Sequence, residues 1–211
     1  MKATEFLHKH EEKLQKNIAV FNQLQGYFNT NQIENYNKMI GKYISNSEKL
    51  TIDARKIPEL TGVKSHGKIL EKAISEAHDI KISLTDEGFV NIKMPCLLPG
   101  KASKNKKEFV FFPLLYAITS FAKTLKSSDV IVNSVIAIRH IYSENKSMGI
   151  IRDNDNVDTK IVVDIIKSSF LFDDNGLICS HFYDSKFGND DMTDIYVLPR
   201  EDFSKWWEIY S

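Results

Sequence analysis

The chain has 211 residues, of which 42% are hydrophobic and 27% are charged, a composition typical of a globular protein with a sizeable core. Its 28 basic and 28 acidic residues cancel, which argues against a simple polycationic nucleic-acid binder. No apolar stretch reaches the ~20 residues that a transmembrane helix needs, and the polar start lacks the apolar core of a signal peptide. Cys96 and Cys179 fit no metal-ligand spacing and are expected to be reduced, so we expect a cytoplasmic protein.

The charge is distributed unevenly along the chain. Residues 152–211 carry 13 acidic and 6 basic side chains, which leaves 15 acidic and 22 basic side chains in the first 151 residues. Two interpretations stay open: an acidic surface, which is the usual role of a charge run, or an acidic centre within a basic surround.

Residues 1–80 are predicted to form a helical region. Apolar side chains recur every three or four residues from Leu7 to Phe28, and the same period returns from Ile33 to Ile44. Gly26 and the polar cluster Asn29-Thr30-Asn31 separate the two segments, so the pattern predicts an αα-hairpin. A further helix is predicted from about Lys68 to Ala77.

Residues 81–211 are predicted to form an α+β domain, with helices on one face of a mixed sheet. Alternating apolar residues around Asp86-Glu87-Gly88 indicate a β-hairpin, and the β-branched run Val130–Tyr142 is typical of a central strand. Helices are predicted at Pro113–Lys126 and Asp158–Ser169. The remaining predicted strands are Phe109–Phe112, Leu177–Phe182 and Ile195–Leu198, the last two joined by a turn at Gly188–Thr193.

The segment Arg152–Asn175 is the most informative part of the chain. It contains six aspartates: Asp153, Asp155, Asp158, Asp164, Asp173 and Asp174. Carboxylates at this density repel one another unless a cation lies among them. Hard divalent ions such as Mg²⁺ take one or two carboxylates together with water and phosphate oxygens. The segment therefore predicts a Mg²⁺ or Mn²⁺ site for phosphate chemistry.

The spacing of these residues resembles the signature of the RusA-type Holliday junction resolvases. Arg152-Asp153-x-Asp155-Asn156 precedes a helix that carries Lys160 and Asp164, and Asp173-Asp174 then leads into a strand. The order of the surrounding elements agrees over roughly residues 88–200. The resemblance implies a RusA-like sheet and a dimeric, Mg²⁺-dependent endonuclease that cuts branched DNA and is often encoded by mobile elements.

The resemblance also implies the site residues. Asp153, Asp155, Lys160 and Asp174 would be catalytic, with Asp153, Asp155, Asp173 and Asp174 as metal-binding carboxylates. Hydrolysis of a phosphodiester needs an activated water and neutralised charge, which metal ions on carboxylates and a lysine supply. Asp153 and Asp155 are two residues apart in a segment expected to be extended, so both would face one pocket.

Other interpretations of the acidic run fit less well. An EF-hand loop needs Gly at its sixth position and Glu at its twelfth, where this chain has Asp158 and Asp164. The six histidines show no zinc spacing, and the sequence has no P-loop, GxGxxG or GxSxG motif.

Six basic residues are candidates for contacts with DNA phosphates: Lys101, Lys104, Lys106, Lys107, Arg139 and Arg152. The lysine-rich segment Lys101–Lys107 equally fits a solubilising loop. The leading hypothesis is a homodimeric endonuclease acting on branched DNA, with no membrane association. The alternative is a catalytically weak or inactive RusA-fold module that binds nucleic acid or a protein partner. A third hypothesis is a protein-binding adaptor that works through the N-terminal hairpin.

Overall fold

The computed structural model describes residues 3–62, 66–103, 106–125, 130–145 and 151–211, with only the backbone for His66 and Asp155. Within these residues the protein is α+β, as predicted, with six α-helices and a five-stranded mixed sheet. The chain divides into two compact units, Met1–Leu70 and Glu71–Ser211. They are called the N-terminal unit and the C-terminal unit below.

The N-terminal unit contains the predicted helical hairpin. Helix α1 spans Ala3–Asn29 and α2 spans Ile33–Leu60, so α2 continues well past the predicted segment. Asn31 between them has a φ of 55°, a left-handed conformation that asparagine tolerates better than most residues. The contacts run in opposite directions along the two helices: Lys13–Asp53, Asn17–Ser47, Phe21–Tyr43 and Phe28–Tyr36.

The C-terminal unit is built on the sheet, whose strand order is β1-β2-β5-β3-β4. The strands are β1 (Lys81–Leu84), β2 (Val90–Met94), β3 (Ser134–Ser143), β4 (Cys179–Gly188) and β5 (Met192–Pro199). The predicted hairpin is confirmed as β1 and β2, and β3 pairs in parallel with β4. The two closing strands do not pair with each other, because β3 lies between β4 and β5.

The remaining helices are α3 (His66–His78), α4 (Phe112–Ala122), α5 (Lys160–Phe170) and α6 (Phe203–Tyr210). Helices α4 and α5 pack on one face of the sheet, where alternate strand residues such as Ile136 and Ile138 are fully buried. The short α6 packs on the opposite face, where Trp206 is fully buried beside Val135 and Tyr196. Successive residues of a strand such as β3 therefore point alternately into two hydrophobic cores, one on each face of the sheet.

The predicted strand at Phe109–Phe112 is wrong. Lys107–Phe111 forms a π-helical turn that continues directly into α4, with Pro113 in the first turn of the α-helix. A short apolar run has no period that separates a strand from a buried helical turn, so the sequence pattern did not decide between them.

Candidate functional site

Helix α5 is amphipathic, and its charged side chains share one face. Val162, Val163, Ile165, Ile166 and Phe170 are buried against the sheet. Lys160, Asp164 and Lys167 follow one another at steps of four and three residues on the outward face. The apolar face fixes the helix on the sheet, and this fixes the direction in which the charged face points.

The charged face of α5 borders a cavity of about 250 Å³ next to strand β4. The hydroxyl groups of Thr159 and Tyr183 lie 3.2 Å apart and join the start of α5 to β4. The cavity thus brings together Lys160 and Asp174, two of the four predicted catalytic residues. Its lining is Thr159, Lys160, Val163, Asp164, Asp174, His181 and Tyr183.

The predicted carboxylate Asp153 is not part of this lining. It is exposed and directly precedes the 3₁₀ turn Asn154–Asn156, which contains Asp155. The backbone at Asp155 is therefore helical and not extended, so the period-two argument for a shared pocket does not apply. The position of the Asp155 carboxylate lies outside the described part of the chain.

Three lysines neutralise four of the clustered carboxylates. Nζ of Lys167 lies 2.7 Å from Asp173 Oδ1 and 2.6 Å from Asp174 Oδ1. Two further pairs are Lys160–Asp164 at 3.0 Å and Lys106–Asp158 at 2.5 Å. The repulsion that predicted a metal ion is thus offset by cations of the chain itself.

The ion pairs of Lys167 shift the pKa values of Lys167 and Asp173. The hydrogen bonds that Lys167 donates to Asp173 and Asp174 raise the pKa of Lys167. The hydrogen bond from Lys167, helped by Asn175 and the backbone N–H of Asp174, lowers the pKa of Asp173 to about 2. Both groups therefore stay charged throughout the neutral range.

Replacing Lys167 with glutamine is expected to raise the pKa of Asp173 toward its ordinary value of 3.8. Because the folded pKa lies below the ordinary value, the pairing stabilises the fold above pH 3.8 and its contribution is lost as the pH falls toward 2. Carboxyl ¹³C NMR titration measures the shift directly. Lys160→Gln is the control, since Lys160 pairs with Asp164 and should leave Asp173 unchanged. An unchanged Asp173 titration in Lys167→Gln would contradict the assignment.

The predicted phosphate-contacting residues separate into different environments. Lys101, Lys107 and Arg152 are exposed, and Arg152 donates to the carbonyl oxygen of Leu98. The side chain of Lys106 is 17% exposed, and its ammonium group pairs with Asp158. Lys104 lies outside the described residues.

Arg139 is buried in β3 and has only 2% of its surface exposed. Its Nε donates to Asp184 Oδ2 at 2.8 Å, and its Nη1 donates to the carbonyl oxygen of Tyr210. These donors are occupied within the fold, so Arg139 does not belong with the predicted phosphate-contacting residues. A charged residue in the middle of an apolar strand here has a structural partner on the neighbouring strand.

Residues 2–210 match the model of a family of unknown function, DUF6100. The chain belongs to this family. No curated protein and no solved structure matches it. Among the described helices, none combines the length and apolar character needed to cross a membrane.

Three residues that line the cavity were not predicted from the sequence: Thr159, His181 and Tyr183. His181 and Tyr183 alternate along β4, so they share the face that turns toward α5. The alternation of these two residues is visible in the sequence. Their position beside α5 is not, because it depends on the parallel pairing of β4 with β3. Within the described residues, no three His, Cys, Asp or Glu side chains form a metal-binding group.

Proposed function

We propose that the C-terminal unit is a Mg²⁺- or Mn²⁺-dependent endonuclease that cuts branched DNA, as the resemblance to RusA-type resolvases implies, and that it acts as a cytoplasmic homodimer. The observation that carries the proposal is the cavity beside α5, because it contains both Lys160 and Asp174. These residues are 14 positions apart in the sequence and belong to different segments of the chain. The predicted lysine and one predicted metal-binding carboxylate thus border the same space.

The donor set of the cavity is compatible with a hard divalent ion. Mg²⁺ usually binds proteins through one or two carboxylates and keeps several waters, so a group of three protein ligands is not required. Asp164 and Asp174 are the two carboxylates that line the cavity, and they would hold the ion. When bound, such an ion supplies charge neutralisation and an activated water.

The chain's own residues have separate tasks at this site. The side chain of Lys160 is 81% exposed, so its ammonium group is accessible to a phosphate oxygen. Lys167 holds Asp173 and Asp174 in place through two short ion pairs. Exposed Lys101 and Lys107 are available to bind the DNA backbone without sequence preference.

Cleavage of a labelled four-way junction tests the proposal. The purified protein is expected to introduce paired nicks in the presence of Mg²⁺ and none after chelation. Asp174→Asn, at a carboxylate that lines the cavity and that the resemblance assigns to the metal, should strongly reduce the nicks. Cleavage that persists in chelator, or that Asp174→Asn leaves unchanged, would contradict this metal-dependent assignment.

The lysine pairs favour a second candidate function. Because Lys106, Lys160 and Lys167 already neutralise Asp158, Asp164, Asp173 and Asp174, these four carboxylates need no metal ion to offset their repulsion. A RusA-fold module that binds nucleic acid or a protein partner without catalysis is consistent with that arrangement. In the same assay it would retain the labelled junction in a gel shift and leave it uncut.

A further inference from the structure

Strand β4 forms one edge of the sheet. It pairs with β3 over all 10 of its residues, and within the described chain no strand lies on its other side. Long open edges are templates for pairing with another chain, and proteins usually shorten or protect them. The opposite edge strand, β1, has only 4 residues. The open edge of β4 is therefore the longer of the two sheet edges.

Alternate residues of β4 direct their backbone groups toward this open edge. The carbonyl groups of Ile178 and Gly188 accept hydrogen bonds from the N–H groups of Ser134 and Glu144, at the two ends of the pairing with β3. Even-numbered positions therefore face β3, and odd-numbered positions face outward. The N–H of Ser185, at an outward position, donates to its neighbour Asp184 at 2.7 Å. A second strand at this edge would replace that local bond with a backbone acceptor.

The sequence around Ser185 is complementary to itself. If two copies of β4 pair antiparallel about Ser185, Asp184 faces Lys186 of the second copy, and Tyr183 faces Phe187 of the second copy. Two-fold symmetry forms each pair twice. Cross-strand pairs of opposite charge and of aromatic rings both stabilise sheets.

The exposure of these side chains is consistent with that pairing. Lys186 is exposed, and 44% of the surface of Phe187 is accessible. Ser185 is small and exposed, so two copies can approach closely at this position. Because Ser185 is an outward-facing position, the two serines would form a hydrogen-bonded pair, which is a permitted register for antiparallel strands.

We propose that two copies of the chain join through antiparallel pairing of their β4 strands about Ser185, making one continuous ten-stranded sheet from two five-stranded sheets. This deepens the proposed function, on whose homodimer it rests, by naming the surface where the copies meet. The occupant is a second copy because one five-residue segment supplies both members of every cross-strand pair. A strand of another protein would have to bring its own complement to Asp184 and Lys186.

Disulfide trapping of the full-length protein tests the register. In a Cys96→Ser background, Ser185→Cys is expected to give a covalent dimer on mild oxidation, seen on a non-reducing gel. Directly opposite residues of a hydrogen-bonded pair have Cα atoms about 5.5 Å apart, within the range that a disulfide spans. Ser180→Cys in the same background is the matched control. Its two copies would lie about 33 Å apart, so it should stay monomeric on the gel.

A charge reversal tests the side-chain pairs without a new thiol. Lys186→Asp places like charges opposite each other twice, so the dissociation constant of the dimer should rise about tenfold or more in sedimentation equilibrium. Lys205→Asp, an exposed lysine of α6, is the charge-matched control and should leave the constant unchanged. Circular dichroism confirms that each variant is folded.

The possible outcomes separate this inference from the proposed nuclease activity. A monomer at all concentrations, or a dimer that neither Ser185→Cys traps nor Lys186→Asp weakens, overturns the β4 pairing. Neither measurement involves DNA or metal. A trapped dimer that cuts no junction would therefore overturn only the nuclease, and a cleaving protein without the Ser185 cross-link would overturn only the pairing.

Discussion

Asp174→Asn is expected to lower Mg²⁺-dependent cleavage of a four-way junction by about 100-fold or more, the scale on which loss of one charge-stabilising group slows an enzyme. Asp174 is the predicted metal-binding carboxylate that lines the cavity with Lys160. The amide keeps the size of the side chain and removes its charge, so the cavity keeps its shape. The measurement is the single-turnover rate at saturating Mg²⁺.

The neighbouring aspartate provides the matched control for this prediction. Asp173 pairs with the same lysine as Asp174 but does not line the cavity. Asp173→Asn should therefore slow cleavage much less than Asp174→Asn. Equal losses in both variants would mean that the carboxylates act only by holding Lys167. Full activity in Asp174→Asn would remove the cavity from the proposed site.

The sequence correctly predicted the elements whose apolar residues recur with a regular period and form one buried face. The hairpin β1–β2 alternates apolar and polar residues, and α5 presents its apolar face at helical spacing. Both patterns depend on neighbours in the sequence. The position of β3 between β4 and β5 depends on which distant strands pair, so the order of the closing strands carried no local signal.

The same distinction explains the partial prediction of the site. Crowded aspartates are visible in sequence, and so is the step of four between Lys160 and Asp164. The contact of Lys167 with Asp173 and Asp174 forms only because the chain turns back after α5. Sequence reasoning therefore identified the repulsion among carboxylates but missed two of the lysines that offset it.

Arg139 shows how burial changes the meaning of a charge. In the sequence it stands within a β-branched run and is a candidate for contact with DNA phosphates. In the structure the register places it between Asp184 on β4 and Asp194 on β5. Its guanidinium carbon also lies 5.4 Å from the centre of the Trp206 ring, which favours a cation–π contact. The Arg139 side chain thus links β3 to β4 and to α6.

Arg139→Met is expected to destabilise the C-terminal unit by about 2 kcal/mol at neutral pH, because removal of the buried arginine leaves the partly buried carboxylate of Asp184 without its partner. Asp184 would lose its 2.7 Å ion pair, and Asp194 would lose a nearby positive charge. Urea unfolding followed by tryptophan fluorescence measures the effect. Both tryptophans of the chain, Trp206 and Trp207, lie in α6, so the signal reports the C-terminal unit.

The pH dependence provides a second test of the same variant. Desolvation already raises the pKa of Asp194 above 3.8, and Arg139 opposes that rise. Loss of Arg139 raises this pKa further, so the destabilisation should be largest at neutral pH and should shrink as acid protonates Asp194. The double variant Arg139→Met with Asp184→Asn should cost less than the sum of the single changes, since the two residues contact each other. Unchanged unfolding with weakened junction binding would instead support the sequence-based assignment of Arg139 to DNA.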